Sequence, residues 1–310
     1  MRMEPLPATP ASGPSDAFSA LASPLRGELK RHCYRMMGSP HDAEDCVQET
    51  LLRGWREFSG LRDPAAARSW LYSIATRVCL DALRTRRRRQ TLFGPSLEDA
   101  TPSADPWVEP WPGGDGNAER GHDIRLAFVS LLHGLSPKSR AVLLLHDGAG
   151  YTAAEAAGAL GLSVAAARSA LQRARNALPT ALPARDPAPA GSVPVEPYIA
   201  AWNAGDLPAL IGLLQRDIVM TMPPWRTTFH GRDAVAAFLT RVWPLHEGFR
   251  AFAVRANGQP AMALYSLKEG MYRAHSLHIL AGNGLVGELI LYAPPLAAAL
   301  FPAFGLAREL

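Results

Sequence analysis

Apolar residues recur three and four positions apart through most of the first 180 residues, which predicts amphipathic α-helices. Pro40 interrupts the first helical pattern, and Pro64 begins a long one, because its fixed φ suits the first position of a helix. We predict helices over 25–37, 42–58, 64–84, 122–132 and 137–146. The buried face of the second helix is predicted to hold Ala43, Cys46, Val47, Leu51, Trp55 and Phe58.

The stretch 151–178 predicts two short helices joined by a tight turn. Thr152 and Ser163 can cap the two helices, and Gly161 can take the positive φ of a sharp corner. The second helix is basic and carries no acidic residue from 163 to 175. This layout is typical of a helix-turn-helix that enters the DNA major groove, although an ordinary helical hairpin with a basic, solvated face has the same pattern.

Beyond residue 195 the pattern changes to short helices followed by strands. Turn signals at Asn257-Gly258, Glu269-Gly270 and Gly282-Asn283-Gly284 separate the last strands. Helices followed by a meander predict an α+β unit, in which the helices fill a curved sheet. The predicted helices cover 198–205, 207–214 and 233–242, and the predicted strands cover 217–222, 249–256, 260–268, 271–281 and 284–292.

Charge is distributed unevenly, although the net charge is only +4. Residues 1–93 carry a net charge of +5, residues 94–121 carry −5, residues 122–185 carry +4, and residues 186–310 are neutral. Two basic modules joined by an acidic connector suit a polyanionic partner such as nucleic acid. The neutral last module does not obviously share that partner.

Composition excludes several classes of protein. The chain has 310 residues, of which 48% are hydrophobic and 19% charged, which predicts two or three globular domains. It has no run of 18 apolar residues and no apolar segment near its N-terminus, so we expect no membrane span, no secretion signal and a cytoplasmic location. Cys33, Cys46 and Cys79 lie in apolar helical patterns without a C-x-x-C pair, so we expect buried thiols and no metal site.

Three long segments resemble the extracytoplasmic-function sigma factors of the sigma-70 family. DAEDCVQETLLRGWREF and SWLYSIATRVCLDALR resemble region 2, and LSPKSRAVLLLHDGAGYTAAEAAGALGLSVAAARSALQRAR resembles region 4. Together they cover residues 24–93 and 122–182. The resemblance implies two all-α domains, no cofactor, no catalytic activity, and core RNA polymerase and promoter DNA as partners.

The resemblance also implies roles for residues of region 2. The helix that holds Asp45, Gln48 and Glu49 would bind the clamp helices of the polymerase β′ subunit. The loop 59–63 and an adjacent exposed helix face would open and read the −10 element. Arg77 stands on that face where the family often has Asn, which leaves the base preference at −10 open. The face holds Arg68, Tyr72, Arg77 and Arg84.

In region 4 the resemblance implies binding to the polymerase β flap and to the −35 element. Arg168 is the best candidate for a base contact, because a guanidinium can bond guanine O6 and N7 together. Arg173 and Arg175 are expected to contact phosphates. The residues of the second helix that would face the −35 element are Ser163, Ala165, Ala166, Arg168, Ser169, Gln172, Arg173 and Arg175.

Residues 94–121 form the predicted connector between the two sigma domains. They are rich in proline, glycine and acidic residues and are not expected to fold alone. The resemblance implies that the connector threads through the polymerase toward the RNA path, with Trp107 and Trp111 as anchors. A plain flexible linker is the alternative.

The last part resembles the SnoaL-like domain, whose fold is the cone of the nuclear-transport-factor-two-like proteins. YIAAWNAGDLPALIGLL and VMTMPPW…FHGRDAVAAFL carry this resemblance over 195–293. It implies a regulatory contact with the sigma core and a cavity in which a small effector can bind. Candidate cavity residues are His275, His278, Glu288 and, near the rim, His230. Glu288 would lie either inside the cone or on the outer face of its sheet.

The predicted fold is therefore multidomain: two all-α sigma domains followed by an α+β SnoaL-like cone domain. The predicted function is transcription initiation, with the last domain modulating it in cis. The alternatives are a SnoaL-like isomerase, hydrolase or ligand sensor fused to a DNA-binding module, or a conventional repressor. The segment 293–306 would pack on its own domain or touch the sigma core. The predicted limits are a flexible tail 1–23, region 2 at 24–93, an acidic linker 94–121, region 4 at 122–184, a linker 185–194 and the regulatory domain 195–310.

Overall fold

The chain divides into two compact units. The first takes in Met1–Met37, His41–Arg88 and Leu135–Arg175, and the second Gly38–Pro40, Arg89–Gly134 and Asn176–Leu310. In the part of the chain described, no helix is long and apolar enough to cross a membrane. The computed structural model describes residues 14–61, 63–93, 108–112, 126–178, 193, 195–223, 225, 227–294 and 296–310.

The first unit is built from helices. The prediction of a flexible tail over 1–23 is wrong for its second half, where a helix buries Phe18 with its ring 5.5 Å from that of Phe58. The Pro- and Ser-rich sequence around it concealed this helix, which buries Phe18 and Ala22. The helices are α1 (Pro14–Ala22), α2 (Arg26–Met37), α3 (Pro40–Glu57), α4 (Ala67–Phe93), α6 (Pro137–Leu143), α7 (Ala153–Leu160) and α8 (Val164–Ala177).

The buried face of α3 differs from the predicted one. Trp55 is 53% exposed, and Gly54 takes the core position instead. A Cβ at Gly54 would lie 3.0 Å from Leu71 Cδ2 and 3.2 Å from the Phe18 ring, so a larger residue here would require these side chains to shift. Leu51 is half-buried. The observed buried stripe is Ala43, Cys46, Val47, Thr50 and Gly54.

Region 4 has the predicted helix-turn-helix. Thr152 caps α7 in a capping box, in which Glu155 N donates to Thr152 Oγ1 and Thr152 N donates to Glu155 Oε2. Gly161 ends α7 with φ of 63°, a left-handed conformation that glycine adopts without steric penalty. The helix predicted over 137–146 is α6 followed by a π-helical turn at Leu144–Gly148.

The second unit holds one six-stranded mixed sheet in the order β2-β1-β6-β5-β4-β3, in which β1 and β6 are parallel and the other neighbours antiparallel. The short β2 was not predicted. The α5 helix, predicted as part of region 4, groups with this unit. Its elements are α5 (Leu126–His133), α9 (Val195–Ala204), α10 (Leu207–Gly212), β1 (Leu214–Thr221), β2 (Thr228–His230), α11 (Arg232–Val242), β3 (Phe249–Ala256), β4 (Gln259–Lys268), β5 (Met271–Asn283), β6 (Leu285–Tyr292) and α12 (Leu296–Leu300).

The two faces of this sheet are covered differently. On the inner face, Leu264 and Leu291 join one core cluster with Trp202 of α9 and Leu239 of α11. The outer face is covered by the C-terminal segment, whose Phe301 is fully buried with its ring 5.1 Å from that of Tyr265. The segment 293–306 therefore packs on its own domain.

A piece of the acidic connector also belongs to the second unit. Tyr292 Oη donates to the carbonyl oxygen of Val108 at 2.6 Å, and Trp111, 8% exposed, is held by Asn257. Pro112 forms an isolated antiparallel bridge with Ala256. The prediction of an unstructured connector is therefore wrong for Val108–Pro112, because the last domain supplies the contacts that this segment lacks alone. Trp107 lies outside the described residues.

Candidate nucleic-acid interface and cavity

The outer face of α8 is the candidate DNA-reading surface. Ala167, Ala170, Leu171 and Ala174 are buried at helical spacing, which fixes the rotation of the helix. As a result, all the residues predicted to face DNA are exposed, namely Ser163, Ala165, Ala166, Arg168, Ser169, Gln172, Arg173 and Arg175.

The three arginines of α8 differ in their partners. Among the described residues, Arg168 makes neither a hydrogen bond nor an ion pair. Arg173 Nη1 donates to Ser169 Oγ at 2.6 Å, and Arg175 Nη2 lies 2.8 Å from Asp147 Oδ1. The side chain of Arg168 is thus the most readily available of the three for a new contact.

The candidate −10 face on α4 is only partly exposed. Arg68, Arg77 and Arg84 reach solvent, but Tyr72 is 3% exposed, so the prediction that Tyr72 lies on an exposed face is wrong. Its hydroxyl donates to Glu28 Oε2 at 3.3 Å, and burial raises its pKa. The Arg68 guanidinium covers the ring at 4.8 Å from its centroid and lies 3.1 Å from the same Glu28 oxygen. The ring is covered because α2 packs against this face.

Region 4 lies against this same face within the first unit. Arg68 Nη1 donates to the carbonyl oxygen of Ala149 at 3.2 Å, and Tyr151 Oη donates to that of Ser69. Burial raises the pKa of Tyr151 to about 12. A second buried contact joins Arg140 Nη1 to the carbonyl oxygen of Met36 at 2.8 Å. The segment before the helix-turn-helix therefore covers part of the candidate −10 face.

The exposed face of α3 is the candidate polymerase-binding surface. Asp45 and Gln48 are exposed, and Glu49 is half-buried with its carboxylate 2.7 Å from Arg53 Nε. Leu52 and Trp55 continue this face and are 50% and 53% exposed. Sequence reasoning missed both, because it placed Trp55 on the buried face of the helix and assigned Leu52 to neither face.

The second unit contains a cavity of about 200 Å³. Of the predicted cavity residues, His275 and His278 line it. His230 is exposed on β2, and Glu288 alternates with the core residue Leu289, so neither lines the cavity. The lining residues are Trp202, Met222, Phe238, Leu239, Val242, Trp243, Leu245, His246, Phe249, Leu264, His275, Ser276, His278, Leu291 and Pro294.

A break in strand pairing explains why His275 reaches the same cavity as Ser276 and His278 of β5. Leu264 pairs with Ser276 but Tyr265 pairs with Ala274, so His275 is the extra residue of a β-bulge. A bulge re-aims its side chain, which otherwise would point to the outer face. Sequence patterning could not reveal this, because a bulge interrupts the alternation on which such patterns rest.

The polar atoms of the cavity wall are largely satisfied by one another. His278 Nδ1 lies 3.0 Å from Tyr198 Oη and its Nε2 2.8 Å from Ser276 Oγ. His275 Nδ1 lies 3.2 Å from the same serine oxygen. Burial lowers the pKa of His278 to about 3 and that of His275 to about 4, so both are neutral at pH 7. Among the described residues, no cluster has the ligands for a metal ion.

The His246 side chain completes this polar wall. Its Nδ1 lies 2.8 Å from Ser266 Oγ, and its ring centroid lies 4.7 Å from that of His275. Burial lowers its pKa too. Neither His246 nor Ser276 was among the predicted cavity residues. The alternation along a strand places Ser276 on the same face as His278 and could have found it, whereas His246 lies in the loop before β3, where no such pattern applies.

Comparison with known proteins identifies the domains that carry these surfaces. Residues 21–89 match the family Sigma-70 region 2, residues 125–178 match Sigma-70 region 4, and residues 195–275 match the SnoaL-like domain. ECF RNA polymerase sigma factor SigG of Mycobacterium tuberculosis is 38% identical, over 97% of this chain and 87% of that protein. ECF RNA polymerase sigma factor SigJ of the same species is 36% identical, over 69% of this chain and 70% of that protein.

A solved structure agrees with the order of the domains. The crystal structure of the M. tuberculosis extracytoplasmic function sigma factor SigJ superposes with a TM-score of 0.60 at 29% identity, over 94% of this chain and 100% of that one. The predicted order of helical sigma domains followed by an α+β SnoaL-like domain is confirmed. The chain therefore belongs to the extracytoplasmic-function sigma factors of the sigma-70 family, with a SnoaL-like domain after region 4.

Proposed function

We propose that this sigma factor binds core RNA polymerase through α3 and the β flap through region 4, and that it reads promoters with α8 and α4. The observation that carries the proposal is the pair of exposed faces on the first unit. One is the acid-free face of α8 with Arg168, and the other is the face of α3 around Gln48 and Trp55.

The face of α3 has the composition of a protein interface. Leu52 and Trp55 are large and exposed, and Asp45, Gln48 and Glu49 surround them with polar groups. Aromatic anchors within a polar rim dominate the binding energy of typical interfaces. The β′ clamp helices are the proposed partner of this face.

Reading two elements of a promoter requires the first unit to open. Elements centred about 25 base pairs apart lie about 85 Å apart along B-DNA, at 3.4 Å per base pair. A compact unit of 100–150 residues has a radius of gyration of only about 13–15 Å. The contacts of Arg68 with Ala149 and of Tyr151 with Ser69 therefore break when polymerase binds, and the −10 face with Arg68, Arg77 and Arg84 becomes free.

The C-terminal domain opposes this opening by holding the connector. The connector has to leave Asn257 and Tyr292 if it threads through the polymerase. Three hydrogen bonds, to Val108 and Trp111, would each contribute about 0.5–1.5 kcal/mol, and burial of the Trp111 side chain adds to them. A binding free energy of a few kcal/mol between the domain and the connector is large enough to regulate holoenzyme formation, and polymerase binding can still overcome it. An effector in the cavity would act on this hold.

The named relatives are sigma factors rather than enzymes, and no Asp or Glu is among the described residues that line the cavity. Transcription with purified core polymerase tests the proposal. The full chain is expected to direct promoter-specific transcripts and to protect both elements in footprints of the holoenzyme. Binding of the free chain to promoter DNA as tightly as the holoenzyme would instead indicate a conventional repressor.

A further inference from the structure

We propose that the cavity of the C-terminal domain binds an uncharged, mostly apolar molecule of one or two rings. The inference deepens the effector role proposed above. It names the class of ligand from the size, the wall and the charge of the cavity.

The size of the cavity sets the size of the ligand. Its volume is about 200 Å³. An apolar cavity of about 150 Å³ in another protein stays dry and binds benzene. The cavity here therefore has room for one ring with substituents or for two fused rings, but not for a long chain or a sugar phosphate.

The wall is aromatic and carries no charge. Trp202 and Trp243 stack at 4.6 Å between ring centroids, and Phe249 packs edge-on against both. No Asp, Glu, Lys or Arg is among the described lining residues. A charged ligand would lose its hydration without gaining a partner, which strongly opposes binding. The ligand is therefore uncharged.

The histidines of the wall do not change this conclusion. His278 uses both ring nitrogens within the protein, and His275 and His246 each use Nδ1. Desolvation keeps His275 neutral at pH 7, so it cannot attract an anion. These hydrogen bonds occupy polar atoms of all three histidines, and the buried Nε1 of the lining residue Trp202 is a donor without a hydrogen-bond partner. Such a wall favours a ligand that is mostly hydrocarbon with at most one or two acceptor atoms.

The cavity has a route to solvent and to the connector. Leu245, at its mouth, is 76% exposed. On β6, Leu291 lines the cavity while the next residue, Tyr292, holds Val108 on the opposite face. On β3, Phe249 lines the cavity while Ala256, at the far end, pairs with Pro112. A ligand that moves either strand therefore changes the contacts that bind the connector at Val108 and Pro112.

Isothermal titration of the full chain with indole and with indole-3-carboxylate tests the inference. Both probes have the same two rings, and only the second is charged at pH 7. Indole is expected to bind at least about tenfold more tightly than the carboxylate, since the carboxylate would be buried without a partner. Failure of indole to bind at its solubility limit, or equal binding of the two probes, overturns the inference.

Two matched variants locate the binding site. Val242 is half-buried at the cavity wall, so V242W places a large ring in the cavity with little effect on the core. V254W is the control, because Val254 is also half-buried but does not line the cavity. V242W is expected to weaken indole binding at least about tenfold and V254W by less than about twofold. Equal effects would place the indole elsewhere and overturn the inference. Since no polymerase is present, neither result bears on the sigma-factor proposal.

Discussion

Trp111 and Asn257 exchange two hydrogen bonds. Trp111 N donates to Asn257 Oδ1 at 2.9 Å, and Asn257 N donates to the carbonyl oxygen of Trp111 at 2.8 Å. Asn257 has φ of 55°, a conformation that Asn tolerates better than most residues other than glycine. One residue therefore makes the hairpin turn between β3 and β4 and also receives the connector.

Replacing Asn257 by glycine should loosen the connector. Glycine keeps the positive φ but removes the acceptor of the Trp111 amide, which should weaken the hold by about 1–3 kcal/mol. Hydrogen exchange of the segment Val108–Pro112 is expected to accelerate at least about fivefold, and core polymerase should bind the variant more tightly. Asn283→Gly is the control, because Asn283 is exposed at the end of β5 and makes no hydrogen bond to the described part of the connector. Unchanged exchange in N257G would mean that other contacts hold the connector.

Two arginines of α8 should differ in their effect on promoter choice. Arg173→Ala should weaken holoenzyme binding to all promoters alike, because a phosphate contact carries no sequence information. The slope of the logarithm of the binding constant against the logarithm of the salt concentration should fall by about 1. Arg168→Ala should weaken binding by about 1–3 kcal/mol at promoters that have a guanine at the position Arg168 contacts, and by much less at other promoters. Holoenzyme binding to a panel of −35 variants at several salt concentrations separates the two. A change of base preference in R173A would reverse the assignment.

Truncating the apolar side chains of the α3 face should reduce polymerase binding without unfolding the protein. Leu52 and Trp55 are half exposed, so Leu52→Ala and Trp55→Ala should lower the free energy of unfolding by only about 1–1.5 kcal/mol, which is half the effect of full burial. Each should nevertheless weaken binding to core polymerase by more than about 1 kcal/mol if it is an interface anchor. Competition for core polymerase measures this, with Met271→Ala as the control, because Met271 is an exposed apolar residue of the other unit that does not line the cavity. Unaltered competition by both variants would remove α3 from the interface.

Acid should destabilise the C-terminal domain through its buried histidines. The folded-state pKa values of His275 and His278, about 4 and about 3, lie below the unfolded value of about 6.5. The unfolded state therefore binds more protons below pH 6.5, so the free energy of unfolding falls as the pH drops from 6.5 toward 4. The loss is up to about 1.4 kcal/mol per pH unit for each histidine.

Urea unfolding of the full chain at pH 7, 6 and 5, followed by tryptophan fluorescence, measures this dependence. In His275→Gln, the free energy of unfolding should fall less steeply between pH 6.5 and 4. The slope should decrease by up to about 1.4 kcal/mol per pH unit, which is the contribution of one histidine. His230→Gln is the matched substitution at a histidine of the same domain that does not line the cavity. Equal slopes in wild type and H275Q would show that His275 does not titrate with folding.

Local periodic signals predicted much of this structure. Capping at Thr152, the corner at Gly161 and the turn at Asn257 depend on neighbouring residues, and each is present. The misses depend on distant contacts. Tyr72 is buried because α2 lies over it, and Val108–Pro112 is ordered because strands more than 140 residues later bind it. The bulge at His275 breaks the alternation that would have placed its side chain.

The burial of Trp111 determines how the C-terminal domain can be separated from this chain or fused to another sigma factor. The outer face of its sheet is completed by a segment that precedes the helix-turn-helix in sequence. If the chain were cut after region 4, the C-terminal fragment would expose the apolar site around Ala256 and Tyr292. The N-terminal fragment with the sigma domains would expose Trp111. Both pieces would be prone to self-association, so grafting this domain onto another sigma factor requires transplanting Val108–Pro112 with it.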